Sequence, residues 1–239
     1  QRIRQAARHG CQVSAIGSQA QDWAMPVQSF VVQGGGEWLQ TLGGIASAVA
    51  QEKGVATPQG AAPANELAQA IARSLLGGER KAVLLGNAAA HHAQATQLLA
   101  LANWIAENTG ATVGYLTEAA NTVGAQFAGA HPVNGGLNAA QMLSGGLKAA
   151  LLLNTEPVHD SVAGAQAATA LSVAEMVVTL SPFKANMAFS DVLLPIAPFT
   201  ETSGSFVNAE GRLQSFHAVV RPLGDTRPAW KVLRVLANL

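Results

Sequence analysis

Short apolar, β-prone runs recur along this chain, each separated from the next by a helix-patterned stretch, and this alternation constrains the fold more than any other feature. The clearest runs are residues 81–86 (KAVLLG), 112–116 (TVGYL), 148–153 (KAALLL), 175–180 (EMVVTL) and 191–196 (DVLLPI). Successive strands with a helix between them pair in parallel, because a parallel connection needs a crossover. The sequence therefore predicts an α/β fold: a doubly wound, mostly parallel sheet with helices on both faces, plus a short C-terminal hairpin region. No repeat and no second boundary stand out, so residues 1–239 read as one domain.

Upstream, residues 1–8 read as the end of a helix closed by His9 and Gly10, with strands at 12–17 and 29–33. From Glu37 the spacing of Leu39, Leu42, Ile45, Ala46 and Val49 marks one helical face, ending near Lys53 and Gly54. Residues 55–63, rich in Gly, Pro, Thr and Ala, form an exposed loop. Asn65 and Glu66 open a helix with Leu67, Ile71 and Leu75 on one face. A long helix spans about 90–108, with Leu98, Leu101, Ala102 and Ile105 at helical spacing and Gly110 as its cap. Residues 121–138 read as loop with short helical turns, and 161–168 as a helix.

Composition narrows the function. Fourteen Lys and Arg balance fourteen Asp and Glu, so the chain lacks the basic face of a nucleic-acid binder. Charged residues make up 12%, about half the usual share of roughly 25%, which suggests either a tightly packed interior or a surface partly covered by other protein. No apolar run approaches the roughly 20 residues of a membrane span. The only cysteine, Cys11, excludes an internal disulfide and any all-cysteine zinc or iron–sulfur site. The chain opens on Gln1 and ends in a helical apolar pattern without a stop signal, so both ends look truncated and a longer parent chain is expected.

Few local patterns carry chemistry. Gly34-Gly35-Gly36 lies between a strand and a helix, without the spacing of a dinucleotide or phosphate loop, and reads as a flexible turn. Gly86-Asn87 lies at the carboxyl end of a parallel strand, where open α/β sheets bind ligands; a ligand crevice and a simple tight turn both fit. His91 and His92 are adjacent and do not share a helical face, while His9, His131, His159 and His217 are scattered, so no metal site is expected. Cys11 reads as a small buried hydrophobe. No G-x-S-x-G elbow is present. No catalytic, cofactor-binding or metal-binding residue is assigned.

The most distinctive stretch is C-terminal. It runs Ser181-Pro182-Phe183-Lys184, then Leu194-Pro195-Ile196-Ala197-Pro198-Phe199-Thr200-Glu201-Thr202, then Gly204 to Gln214, then Arg221-Pro222-Leu223-Gly224-Asp225-Thr226-Arg227-Pro228-Ala229-Trp230-Lys231-Val232-Leu233. Phe206, Val207 and Leu213 fit the arms of a hairpin across Glu210-Gly211, with Arg212 placed to pair with Glu201 or Glu210. These segments resemble the molybdopterin oxidoreductase family, most closely its branch in the large iron–sulfur subunit of bacterial NADH:quinone oxidoreductase. The resemblance extends over the whole chain and is specific from Ser181 onward.

The resemblance implies a non-catalytic scaffold and interaction domain of that respiratory complex. It further implies no cofactor in this stretch, 4Fe-4S and 2Fe-2S clusters elsewhere in the parent chain, and no molybdopterin. The implied partners are other subunits of the complex's peripheral arm, on the cytoplasmic side of the bacterial inner membrane, with no nucleic acid and no membrane insertion. The alternative is part of a catalytic molybdopterin guanine dinucleotide enzyme of the formate dehydrogenase or nitrate reductase type. Gly204, Asn208 and Arg212 match the family signature by position and are the residues to suspect there; plain hairpin geometry is the competing explanation. A nucleotide-binding module using the loop after Leu85 is a third reading.

Overall fold

The structure is a computed structural model and describes residues 1–238. The chain divides into two compact units, Gln1–Glu118 and Ala119–Leu239, each considered by itself. Both have the expected α/β character, with parallel pairing throughout except in the C-terminal hairpin. The strands form separate small sheets rather than one continuous one.

The first unit runs α1 (Arg2–Arg8), β1 (Ser14–Gly17), β2 (Ser29–Val32), α2 (Trp38–Lys53), α3 (Glu66–Gly77), β3 (Ala82–Leu85), α4 (Asn87–Ala90), α5 (Ala95–Thr109) and β4 (Thr112–Tyr115). β1 pairs with β2, and β3 with β4. Helix α2 is buried over an unbroken run from Gly43 to Ala50, as expected of a helix apolar on every side. Small residues let its neighbours approach closely: a Cβ on Gly43 would collide with the Gly60 carbonyl, and one on Gly44 would lie 3.1 Å from the Pro63 carbonyl. Ile45, Val49, Ile71, Leu101 and Ile105 from α2, α3 and α5 fill the core. Asn65 caps α3 by accepting the Ala68 N–H at 2.8 Å, and Gly54 and Gly110 close α2 and α5 in left-handed geometry.

Two expectations need correction here. The predicted helix at 90–108 is broken: α4 stops at Ala90 and α5 starts at Ala95, because the backbone at 91–94 turns around hydrogen bonds to the His92 ring and carbonyl. Cys11 is exposed, not buried. Gly10 (φ 93) carries the chain off α1, and the Cys11 N–H closes that helix on the Ala6 carbonyl, leaving the side chain outside any core.

The second unit runs α6 (Thr122–Phe127), α7 (Ala139–Met142), β5 (Ala149–Leu153), α8 (Pro157–Asp160), α9 (Ala165–Ser172), β6 (Met176–Ser181), β7 (Val192–Pro195), β8 (Gly204–Val207), β9 (Leu213–Phe216) and α10 (Ala229–Leu236). β5, β6 and β7 form a parallel sheet in that order. One face packs on Leu171 and Phe189 through Ala150, Leu152 and Val177. The other presents Leu151, Leu153, Met176 and Val192 in the open. α9 begins four residues later than the predicted 161–168 helix: Gly164 (φ 53) is its N-cap, and residues 161–163 form the preceding turn.

The predicted hairpin is present as the antiparallel pair β8–β9, with Gly211 at φ 78. Its arms meet through the Phe206 and Phe216 rings, 4.8 Å apart, and the Ser205 and Ser215 hydroxyls, 2.8 Å apart. Residues beyond the hairpin fold back beside the segment after β7: the Ala197 N–H donates to the Arg227 carbonyl at 2.9 Å, and the Trp230 indole donates to the Ser203 carbonyl at 3.2 Å.

Candidate functional site

Parallel strands point their carboxyl ends in one direction, and the loops leaving those ends are where such sheets hold ligands. In the first unit these loops are 33–37 after β2, 86–94 after β3 and 116–118 after β4. The His92 ring ties two of them together. It stacks on Trp38, with centroids 5.7 Å apart and planes at 30°. Its Nδ1 accepts the Gln94 N–H at 3.0 Å, which places the proton on Nε2; that nitrogen donates to the Gly35 carbonyl at 3.0 Å. The glycine triplet is thus an anchored 3-10 turn (Gly35–Glu37) rather than a loose one. Trp38 also donates from its indole to the Gln33 carbonyl at 3.3 Å.

His91 turns the other way and meets the Glu118 carboxylate at 3.0 Å, with both side chains largely exposed. The pair bridges the loops after β3 and β4. Gly86 and Asn87 open the four-residue α4 beside it. A cavity of about 230 Å³ is lined by Gln33, Glu37, Thr41, Asn65, Ile45 and Ile71 among others.

In the second unit the corresponding loops are 154–156 after β5 and 182–190 after β6. Asn154 adopts φ 48, a conformation Asn tolerates better than most residues. It turns the chain from β5 into α8, whose Asp160 carboxylate accepts the Glu156 N–H at 2.7 Å and the Thr155 hydroxyl at 3.3 Å. Asn186, buried to 2% exposure, locks the two loops by donating from Nδ2 to the Thr155 carbonyl at 2.9 Å. The Ser190 hydroxyl donates to the Asn186 carbonyl at 2.8 Å and therefore accepts from Thr179, also at 2.8 Å. On this rigid support Phe183 is 62% exposed. Lys184 is exposed next to it.

The loop after β6 thus carries an exposed aromatic ring and an exposed ammonium on adjacent residues. That donor set fits the organic, anionic part of a phosphorylated cofactor: a ring to stack on and a cation for phosphate. Among the described residues no three of His, Cys, Asp and Glu gather to hold a metal ion.

The signature residues Gly204, Asn208 and Arg212 serve the hairpin. A Cβ on Gly204 would lie 3.0 Å from the Phe216 ring. The Asn208 carboxamide accepts the Glu210 N–H at 3.0 Å and the Arg212 N–H at 2.9 Å, and its backbone exchanges hydrogen bonds with Gly211 and Arg212. Glu201, one expected partner of Arg212, accepts the Leu223 N–H at 3.0 Å.

Sequence reasoning singled out Gly86-Asn87 and missed Asn154 and Asn186. A signal existed for the first: Asn between a strand run and Thr-Glu-Pro marks a strand-to-helix turn. Nothing local distinguishes Asn186, whose partner lies 31 positions away.

Proteins named "Putative formate dehydrogenase" from Staphylococcus aureus strains MRSA252, bovine RF122 / ET3-1 and USA300 are each 42% identical over 50 residues. The match spans 21% of this chain and only 5% of each relative. The molybdopterin oxidoreductase family matches residues 1–239 in full. The chain therefore belongs to the molybdopterin oxidoreductase family.

Proposed function

We propose that this chain is part of a molybdopterin-dependent oxidoreductase of the formate dehydrogenase type, in which it binds and orients the organic portion of the cofactor. The observation that carries this reading is the pairing of exposed Phe183 and Lys184 on loops locked by buried Asn186, in a chain whose relatives bear formate dehydrogenase names. Asn154, Thr155, Phe183 and Lys184 would hold the cofactor in the second unit. The cofactor supplies the redox chemistry when bound; the protein supplies binding, orientation and electrostatics. Phe183 offers a face for stacking, Lys184 neutralises negative charge, and the Asn186 bond joins the loops after β5 and β6.

A second reading, the scaffold domain of a respiratory NADH:quinone oxidoreductase subunit, draws support from the sequence at 194–202 and 221–233 alone. On that reading the electron-carrying clusters are in the rest of the parent chain, and the partners are the other subunits of the peripheral arm. Elemental analysis of the purified whole protein separates the two. Stoichiometric molybdenum with the fluorescence of an oxidised pterin supports the first reading. Iron without molybdenum or pterin, together with co-purifying quinone-reductase subunits, overturns it in favour of the second.

A further inference from the structure

The loop between α6 and α7 contains the only Asn-Gly dipeptide of the chain, Asn134-Gly135. Residues 126–142 are exposed without interruption. Asn134 (φ 52) and Gly135 (φ 82) are both left-handed, and the Gly136 N–H donates to the Val133 carbonyl at 2.9 Å. Those features define a type I′ turn. Neither the Asn134 carboxamide nor the Gly135 N–H has a hydrogen-bond partner among the described residues. Six other asparagines are engaged: the carboxamides of Asn65, Asn121, Asn138 and Asn208 accept backbone N–H groups, and those of Asn108 and Asn186 donate to carbonyls. Asn87, Asn103 and Asn154 are followed by Ala, Trp and Thr, whose side chains hinder ring closure.

We propose that Asn134-Gly135 is a site of spontaneous, water-dependent modification through a succinimide. The Gly135 backbone nitrogen attacks the Asn134 side-chain carbonyl carbon. A new C–N bond closes a five-membered ring, the amide nitrogen departs as ammonia, and the proton lost from the peptide N–H leaves with it. Water then opens the ring at either carbonyl, giving an aspartyl or an isoaspartyl linkage. No electron changes hands. A glycine on the C-terminal side removes the Cβ that would hinder ring closure, and the free carboxamide and N–H give up no hydrogen bond to react. Either product adds one carboxylate to a chain whose formal charge is zero. The isoaspartyl form also inserts a methylene into the main chain of a turn that allows only two central residues.

The test uses the whole folded protein, aged at mildly alkaline pH in ¹⁸O-labelled water and then analysed by peptide mapping. The peptide containing Asn134 is expected to convert first of all asparagine peptides, to split into two isomeric products, and to carry one ¹⁸O label. Asn134→Gln is expected to abolish the conversion, and Gly135→Ala to slow it by roughly an order of magnitude. A parallel sample in urea keeps the outcome decisive should the Gly135 variant fold poorly. An amide at Asn134 that persists in the folded protein while converting in urea overturns the proposal, as does faster conversion at any other asparagine.

Discussion

The Lys81 ammonium donates to the Thr109 carbonyl at 2.5 Å, across 28 positions of sequence. The same nitrogen lies 3.5 Å from the Leu76 carbonyl. One cation, placed just before β3, therefore satisfies last-turn carbonyls of both α3 and α5, where the negative ends of the helix dipoles favour positive charge. Lys81→Met is expected to cost about 1–2 kcal/mol. The loss should appear as a lower urea midpoint and as faster amide exchange at the ends of α3 and α5, with Lys81→Arg restoring part of it.

The close approach of α2 to the loop at residues 55–65 sets a second expectation. A methyl group on Gly43 meets the Gly60 carbonyl oxygen and backbone at Ala61 and Ala62, none of which is the flexible end of a side chain. Gly43→Ala should destabilise the first unit by about 1–3 kcal/mol through overpacking. Gly36→Ala, with nothing within 4 Å of the added carbon, should fall within about 0.5 kcal/mol of the parent. Thermal unfolding of the two variants side by side measures the contrast.

Much of this architecture is legible in the sequence, for physical reasons that differ by element. β3 and β5 are runs of Val, Leu and Ala and β6 is rich in Val and Leu, none with the polar period of a surface helix, and all three lie within one residue of their expected limits. Asn65 and Gly110 announce helix ends because cap chemistry is local. The break at 91–94 was hidden, since it depends on a His92 ring held by Trp38 and Gly35, more than fifty positions upstream. Composition statistics favour burial of Cys11, whereas its exposure follows from the direction in which Gly10 sends the chain. The candidate site was half legible: residues 181–184 stand out as a pattern, but the amide that locks them, Asn186, is visible only when the loops after β5 and β6 lie side by side.

That amide leads to a third expectation. Asn186→Ala removes the donor from the part-buried Thr155 carbonyl, a loss of about 0.5–1.5 kcal/mol. Ser190→Ala removes the hydroxyl that links Thr179 to the Asn186 carbonyl. Because the two substitutions dismantle one network, the double variant should lose less than the sum of the singles. Denaturant titration of the four proteins closes the cycle, and additive losses would show that the two hydrogen bonds act independently.

Lys184 and Phe183 separate binding from stability in the second unit. The Lys184 ammonium has no hydrogen-bond or ion-pair partner among the described residues, and Phe183 keeps most of its surface in solvent, so neither contributes much to the fold. Lys184→Ala and Phe183→Ser should therefore leave the urea midpoint within about 0.5 kcal/mol of the parent. In the whole protein the Lys184 variant should retain its pterin about tenfold more weakly, a difference of about 1.4 kcal/mol. Conversion of Lys184 to Glu should weaken retention further, because repulsion replaces attraction at the same point. Pterin released on dialysis, measured by fluorescence against protein concentration, reads the effect directly. Equal retention by all three variants would remove this end of the β5–β6–β7 sheet from the cofactor's contacts.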